Sequence, residues 1–501
     1  MNNDLATLKE LLLEHGDLTA AAALLSWDQA TYMPKGGGPA RGRQLAVLER
    51  LAHERLSSPE IRGLLDSLTS LAEAHDSDDA CLIDVTRRDH QRASRVPSEF
   101  VAELAQHKAD TYETWVRARA ASDFSLARGA LEKTVDYSRR YAAFFELHEH
   151  PIDALIDEVD PGMTAATVRQ LFSELRAALV PLAQAMTSQP PADDACLRFT
   201  FPEDAQLAFG RRVIEKFGYD FDRGRQDKTH HPFMTKFSLD DVRITTRVNR
   251  NDLSEALFST LHEAGHAMYE QNIDPTFDGT PLGHGASAGV HESQSRLWEN
   301  LVGRSRGFWK AFYPDLQQAF PGQLGAVSLD TFYRAINKVE RSRVRTNADE
   351  VTYGLHVIMR FDFELELLEG KLAVADLPSA WRRRSLSDLG VEPEGDRDGA
   401  LQDVHWYGGL VGGAFQCYVL GNLMSAQFYE AALSAVPGIA GDIEQGRFDR
   451  LRGWLVENVY RHGRKFLPAD LVKRATGKPL SVEPYVQYLR RKYGELYELP
   501  A

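Results

Sequence analysis

Most of the chain shows hydrophobic residues at the spacing of amphipathic helices. In the first thirty positions leucines recur at 5, 8, 11 and 12, and Gly16 with Asp17 predicts a break before a second helix over residues 20–27. The same period predicts helices over residues 100–122, 130–147, 165–186, 205–217, 329–339, 353–368, 420–435 and 451–461. The pattern therefore predicts a mainly α fold.

Strand character is confined to residues 197–201 and 230–249, which are rich in Thr, Phe, Val and Ile with partial alternation. These stretches predict one small antiparallel β element beside the centre of the helical body. No long Gly/Ser-rich or charged linker divides the chain, and we find no internal repeat. A single domain over residues 1–501 is therefore expected.

Composition narrows the class of protein. The chain has 501 residues, of which 43% are hydrophobic and 26% charged, and this excludes disordered, collagen-like and disulfide-stapled proteins. Its 58 basic and 72 acidic side chains give a net charge of −14, which disfavours nucleic-acid and membrane partners. Three widely separated cysteines and an amino terminus without signal-peptide character indicate a cytoplasmic protein.

The sharpest chemical signal is HEAGH at residues 262–266. It lies in a predicted helix of about twenty residues that begins after Asn251 and fades at Asn272. His262 and His266 stand one turn apart on the same helix face, so both imidazoles can bind one metal ion. Glu263 is rotated away from them and is placed to act as general base on a water that the metal activates.

The alternative to a metal site is a surface helix on which these side chains are merely solvated. Gly265 argues against that alternative, because glycine inside a helix is costly unless another group approaches closely. The metzincin type of zinc site is excluded, since Tyr269 and Asn272 occupy the positions where it needs Gly and His.

A third metal ligand is expected from a carboxylate further along the chain. Glu292 and Glu299 lie seven residues apart on one face of a predicted helix, so spacing alone does not choose between them. Glu292 could instead form an ion pair with Arg296 one turn away. His291 is predicted to point elsewhere on this helix.

Several short motifs follow one another along the chain. They are WDQATYMP at 27–34, HPF at 231–233, DVRIT at 241–245, HEAGH, HESQ at 291–294, VRTNAD at 344–349 and GALQDVHW at 399–406. In this order the motifs resemble the carboxypeptidase Taq family of metallocarboxypeptidases, peptidase family M32, over nearly the whole chain. Val344 departs from the isoleucine that is usual in the family, which is a conservative change.

The resemblance implies a gluzincin-type site in which Glu292 is the third ligand beside the two histidines. It also implies a helical fold around a deep groove, a homodimer, and release of single amino acids from peptides with a free C-terminal carboxylate. One Zn²⁺ per chain is the expected cofactor, and Co²⁺ accepts the same ligands.

Further site residues are expected from the chemistry of cutting at a C terminus. An arginine fork suits a carboxylate, and a His with a Tyr can stabilise the oxyanion, as in related metallopeptidases. The candidates are Arg345 and Arg243 for the carboxylate, His405 and Tyr418 for the oxyanion, and Gln294 and His231 for other substrate contacts. The alternatives are surface salt bridges for the arginines and a core aromatic for Tyr418.

Two other functions compete with the carboxypeptidase interpretation. An oligopeptidase or aminopeptidase would use the same zinc chemistry, although the GxMEN signature of one large aminopeptidase class is absent. A helical binding or scaffold protein with a vestigial HExxH motif is the second, and the intact Glu263 argues against it.

Overall fold

The structure is a computed structural model that describes residues 2–72, 76–145 and 149–499 and is mainly helical. The first helices are α1 (Asn2–Thr31), α2 (Gly38–Leu56), α3 (Pro59–Ser67), α4 (Thr69–Ala72), α5 (Asp78–Arg95), α6 (Ser98–Ala121), α7 (Ser125–Ala142), α8 (Asp153–Val159) and α9 (Ala165–Thr187). They are followed by α10 (Glu203–Phe217), α11 (Leu253–Gln271), α12 (Ala288–Arg296), α13 (Arg306–Ala319), α14 (Pro321–Leu324), α15 (Leu329–Ile336) and α16 (Tyr353–Glu369). The last are α17 (Leu377–Leu389), α18 (His405–Gly408), α19 (Gln416–Ala435), α20 (Ile439–Ile443), α21 (Asp449–Asn458), α22 (Pro468–Thr476) and α23 (Glu483–Tyr497).

Each predicted helix is present, with ends that differ by a few residues; Leu147, the end of one predicted helix, lies outside the described residues. The predicted break at Gly16 and Asp17 is wrong, because α1 runs without interruption from Asn2 to Thr31. A Cβ on Gly16 would lie only 3.3 Å from the carbonyl oxygen of Gly279. The glycine therefore serves a close approach of neighbouring backbone, and the helix continues through it.

The sheet has three strands, β1 (Gln226–Lys228), β2 (Met234–Ser238) and β3 (Asp241–Thr246), in the order β1-β3-β2. The antiparallel prediction holds for β2 with β3, but β1 pairs parallel to β3, so the sheet is mixed. The predicted strand over residues 197–201 is wrong, because a 3₁₀ turn ends at Leu197 and residues 198–201 form a bend and irregular backbone. The middle strand β3 packs on α11.

The chain divides into two compact units, each built from three separate stretches of sequence. The first unit comprises the described residues of Met1–Ser94, Asp194–Ile336 and Phe428–Pro479, and the second those of Arg95–Asp193, Asn337–Gln427 and Leu480–Ala501. A single domain over residues 1–501 stays a prediction.

Aromatic side chains form much of the core of the first unit. The ring of Phe217 contacts those of Trp298 and Phe448, with centroid distances of 4.6 and 4.8 Å, and all three side chains are buried. Trp298 also donates a hydrogen bond to the hydroxyl of Tyr460 at 3.1 Å. This core anchors the segment that follows α12, because Trp298 belongs to that segment.

Helix α16 is the central element of the second unit. Phe361 and Phe363 are fully buried and contact Phe172 of α9 and Trp381 of α17, respectively. Burying a side chain of this kind contributes roughly 1.5–3 kcal/mol. In the described part of the chain we find no helix with the length and apolar content needed to cross a bilayer.

Candidate metal centre and cationic cluster

The HEAGH motif lies in the middle of α11, in the first unit. Asp252 caps this helix by accepting a hydrogen bond from the backbone N–H of Ser254, so the cap is one residue later than the predicted Asn251. The helix ends before Asn272, as the pattern predicts. A Cβ on Gly265 would lie 2.6 Å from the carbonyl oxygen of Gln294. Glycine at this position therefore lets α11 approach α12 closely.

Helix α12 continues into a π-helical turn, Leu297–Val302. The wider turn changes the direction in which the following side chains point, and such turns recur at functional sites. Both candidate carboxylates reach His262: Glu292 from α12 and Glu299 from the π-helical turn. Spacing alone could not separate their roles, but their positions around the imidazole do.

Glu292 lies on the side of His262 that it shares with His266. Its Oε2 is 3.6 Å from Nε2 of His262 and 3.4 Å from Nε2 of His266. Neighbouring ligands on a tetrahedral zinc ion are about 3.3 Å apart when each bond is about 2.0–2.1 Å. Two imidazole nitrogens and one carboxylate oxygen also suit zinc chemically. This is the one group of metal-ligating side chains that we find among the described residues.

Glu299 occupies the opposite side of the His262 ring. Its Oε2 is 2.9 Å from Nδ1 of His262, so it can accept that nitrogen's proton in a hydrogen bond. Arg296 donates to Oε1 of Glu292 at 2.7 Å. The ion pair that the sequence suggested is therefore present, and it uses the oxygen of Glu292 that does not face the two histidines. A second arginine, Arg304, contacts Glu299 at 3.4 Å.

Glu263 lies beside the two histidines on α11 and is 7% exposed. Burial, together with the nearby carboxylates of Glu292 and Glu299, raises the pKa of Glu263 to about 7 against the opposing effect of His262. A carboxylate with a pKa near neutrality is suited to take up and release a proton. We call His262, His266, Glu263, Glu292 and Glu299 the metal cluster.

The charge state of the other cluster members follows from their surroundings. Burial lowers the pKa of His266 to about 4, which keeps this ring neutral as a metal ligand requires. Burial also disfavours charge on His262, but the carboxylates of Glu292 and Glu299 outweigh it and raise its pKa. Despite burial, Arg296 and the two histidines hold the pKa of Glu292 well below its ordinary value.

The second unit contains a buried cationic group. Nε and Nη2 of Arg345 donate to Oδ1 of Asp403 at 3.0 and 2.9 Å, and Nη1 donates to the hydroxyl of Tyr353 at 3.0 Å. The other oxygen of Asp403 accepts from Nε of Arg360 at 2.6 Å. A guanidinium has five N–H donors, so these bonds leave one hydrogen on each terminal nitrogen of Arg345.

Two further predicted residues adjoin this group. Nε2 of His405 lies 3.4 Å from the hydroxyl of Tyr418, and its Nδ1 is 4.0 Å from Oδ1 of Asp403. The guanidinium of Arg345 lies 5.4 Å from the centre of the Tyr418 ring. Arg345 and His405, predicted from separate motifs, both adjoin Asp403, and Tyr418 lies beside both of them. We call Arg345, Arg360, Asp403, His405 and Tyr418 the arginine cluster.

The other candidates lie in the first unit. Arg243 forms a two-pronged hydrogen bond to Asp241 on its own strand, at 2.8 and 2.7 Å, and its guanidinium lies 4.4 Å from the centre of the Trp27 ring. Gln294 is fully buried and donates to the hydroxyl of the adjacent serine at 2.8 Å. His231 is exposed, just before β2. Substrate contacts for these residues stay predictions.

Comparison with known proteins decides the family. A family model described as carboxypeptidase Taq (M32) metallopeptidase matches residues 7–493. The chain belongs to this family. Carboxypeptidase 1 of Bacillus subtilis (strain 168) is 38% identical over 493 residues, and thermostable carboxypeptidase 1 of Thermus thermophilus is 39% identical over 502 residues; each alignment covers 98% of both chains. The solved structure of an M32 carboxypeptidase from Deinococcus radiodurans R1 is 51% identical, with a TM-score of 0.96 over 99% of this chain and 100% of its own.

The predicted recognition, fold class and enzyme class are therefore confirmed. This M32 metallopeptidase is a carboxypeptidase, a hydrolase that releases residues from peptide C termini, and it carries a His/His/Glu metal-binding group. Asp403 was not predicted as a site residue, although it lies two residues before His405 in the motif GALQDVHW. Glu270, which is one helical turn after His266 on α11, was not predicted either.

Proposed function

We propose that this M32 enzyme is a zinc-dependent carboxypeptidase with one ion per chain, held by His262, His266 and Glu292. The observation that carries the proposal is the approach of Glu292 Oε2 to the Nε2 atoms of both histidines. Zinc bound there would polarise the scissile carbonyl and make the attacking water more acidic. Cobalt accepts the same ligand set and should support the same reaction.

Glu263 is proposed to act as the general base. As a carboxylate it takes the proton of the attacking water, and as the acid it returns that proton to the departing amine. Its position on α11, one residue after His262, supports this role, because it keeps the carboxylate near the metal without making it a ligand. Burial raises the pKa of Glu263, which favours uptake of the proton from the attacking water.

The arginine cluster supplies the proposed substrate contacts. Arg345 is assigned to the C-terminal carboxylate, and the remaining hydrogens on its two terminal nitrogens suit two carboxylate oxygens. His405 and Tyr418 are assigned to the oxyanion that forms on the scissile carbonyl. Arg243 is the second candidate for the carboxylate, with Gln294 and His231 as further substrate contacts.

Two measurements test the function. The purified enzyme should contain one zinc ion per chain, and it should cleave a peptide with a free C terminus but fail on the same peptide ending in an amide. Cleavage of the amide would indicate an oligopeptidase instead. Inhibition by N-acetylation would indicate an aminopeptidase, and absence of both metal and hydrolysis would indicate a scaffold protein.

The homodimer, the deep groove and the cytoplasmic location implied above remain parts of this proposal. Light scattering on the purified enzyme tests the dimer directly, and a mass near 56.1 kDa would identify a monomer instead.

A further inference from the structure

The two metal-binding histidines have different hydrogen-bond partners at Nδ1, the ring nitrogen that does not face the metal. A histidine that binds metal through one ring nitrogen donates its other N–H to a partner that fixes the ring. For His262 this partner is the carboxylate of Glu299, at 2.9 Å from Nδ1. For His266 it is another imidazole, because Nδ1 of His266 lies 2.7 Å from Nδ1 of His291.

The contact between two rings restricts where their protons can be. A neutral imidazole has one N–H donor and one acceptor nitrogen. If Nε2 of His266 faces the metal, its proton is on Nδ1, and Nδ1 of His291 must accept it. The proton of His291 is then on Nε2, which lies 2.9 Å from Oε1 of Glu270. The donors therefore run in one direction, from His266 through His291 to Glu270.

Glu270 is itself firmly held at the end of this chain of hydrogen bonds. Its Oε1 also accepts from the backbone N–H of Gly285 at 2.9 Å, and its Oε2 accepts from Nζ of Lys236 at 2.6 Å. Lys236 donates in addition to the carbonyl oxygen of Gly283. The side chains of Glu270 and Lys236 are 4% and 10% exposed, so this ion pair is shielded from solvent.

Packing fixes the ring of His291 as well. A Cβ on Gly285 would lie 2.7 Å from Cδ2 of His291 and 2.9 Å from Cε1 of Tyr269, so any larger residue there would displace the ring. His291 also directly precedes Glu292 on α12. One turn of α12 thus supplies a metal ligand and the partner of another ligand. His291 was predicted to point elsewhere on this helix than Glu292. In the structure His291 contacts Nδ1 of His266, whereas Glu292 lies near Nε2 of the same ring.

We propose that His291 and Glu270 are positioning residues for the metal site, and that they hold the ring and the Nδ1 proton of His266 so that its Nε2 faces the ion. This inference rests on the proposed role of His266 as a ligand. It assigns His291 no contact with the substrate or the metal.

The test measures zinc affinity of the full-length enzyme by competition with a chelator. His291→Phe retains a ring but has no acceptor, and we expect it to weaken zinc binding about 10–100-fold. His291→Asn retains an acceptor, Oδ1, near the position of Nδ1, and it should recover most of that loss. The visible absorption spectrum of the cobalt-loaded enzyme should change in His291→Phe and resemble the parent in His291→Asn.

The Glu270 end gives an independent test if the phenylalanine variant fails to fold. Glu270→Gln keeps an acceptor for His291 but turns an amide N–H₂ toward Lys236, so zinc binding should weaken. The double variant Glu270→Gln/Lys236→Met removes that repulsion and should bind zinc more tightly than Glu270→Gln alone. His107→Gln is the matched control, because His107 is a buried histidine of the second unit that pairs with Thr134 at 2.9 Å.

The outcomes separate this inference from the proposed function. If His266→Ala loses zinc while His291→Phe binds it like the parent, the positioning role is wrong and the zinc site stands. If His266→Ala leaves zinc binding unchanged, the ligand assignment itself is wrong. Equal losses in His291→Phe and His291→Asn would also overturn the inference, because the acceptor would then be irrelevant.

Discussion

The metal cluster of the first unit and the arginine cluster of the second are both largely buried, but carboxylates outnumber arginines in the first and arginines outnumber carboxylates in the second. The metal cluster sets three glutamates against two neighbouring arginines. The metal-facing oxygen of Glu292 lies near both imidazoles and accepts a hydrogen bond from the hydroxyl of Ser295 at 3.1 Å. In the arginine cluster, Arg345 and Arg360 share the single carboxylate of Asp403.

Buried charge is costly unless it is paired, so each imbalance indicates the kind of ligand that would complete the cluster. The surplus of acid in the metal cluster suits a divalent cation. The surplus of guanidinium in the arginine cluster suits an anion, and a peptide carboxylate is the anion that a carboxypeptidase must recognise.

Glu263→Gln should lower kcat about 10²–10⁴-fold while one zinc ion per chain remains, because the amide cannot accept the proton of the attacking water. Steady-state kinetics with metal analysis checks both parts. Glu255→Gln, in the first turn of the same helix, is the control and should have little effect on kcat. Loss of zinc from the Glu263 variant would show that this residue is a ligand.

The variants Glu292→Gln and Glu299→Gln compare a proposed metal ligand, Glu292, with Glu299, which forms a hydrogen bond to the ligand His262. The Glu299 variant should weaken zinc binding about 10–100-fold, because it changes only the hydrogen bond at Nδ1 of His262 and no bond to the ion. The Glu292 variant should weaken it further, since a direct bond to the ion is lost. Chelator competition measures both, and the reverse order would exchange the two assignments.

Arg345→Gln should raise KM for a free-acid peptide about 10–100-fold, because a charge-assisted hydrogen bond contributes about 1.5–3 kcal/mol. Zinc content should not change. Arg243→Gln is the matched comparison, since Arg243 is already paired with Asp241 on β3. A rise in KM for the Arg243 variant alone would move the carboxylate site to the first unit.

Stability should depend on pH through Glu364, a fully buried residue of α16 whose Oε1 accepts from Trp406 at 2.8 Å. Burial raises the pKa of Glu364 to about 8 from an ordinary value of 4.5. The folded protein therefore keeps a proton that the unfolded chain loses above pH 4.5. The stabilisation is complete below pH 4.5 and is lost as pH rises through 8, by up to about 1.4 kcal/mol per pH unit.

Glu364→Gln preserves the acceptor and removes this titration, so its free energy of unfolding should vary less between pH 5 and 8. Denaturant titrations of the parent and the variant at several pH values measure the difference. An equal pH dependence in both proteins would show that Glu364 is ionised in the folded state.

Local patterns predicted the elements that depend on neighbouring residues. Helical periodicity located α11, and the i,i+4 spacing of His262 and His266 placed both rings on one face. Where distant segments meet, the same reasoning failed. Gly16 looked like a helix break, yet α1 continues through it, and the glycine allows the backbone at Gly279 to approach closely. The strand β1 was missed, because only three residues form it and its partner β3 comes later in the chain.

The family, the helical class, the metal-binding motif and the candidate general base follow from short motifs and from periodicity within one helix. Spacing left Glu292 and Glu299 equivalent, since seven residues of helix return both to nearly the same face, and the family resemblance alone pointed to Glu292. The tertiary structure separates them geometrically, because α12 and its π-helical turn lie against α11 so that each carboxylate meets a different nitrogen of His262. It also placed Asp403 between Arg345 and Arg360, because contacts between residues far apart in sequence depend on how the helices pack.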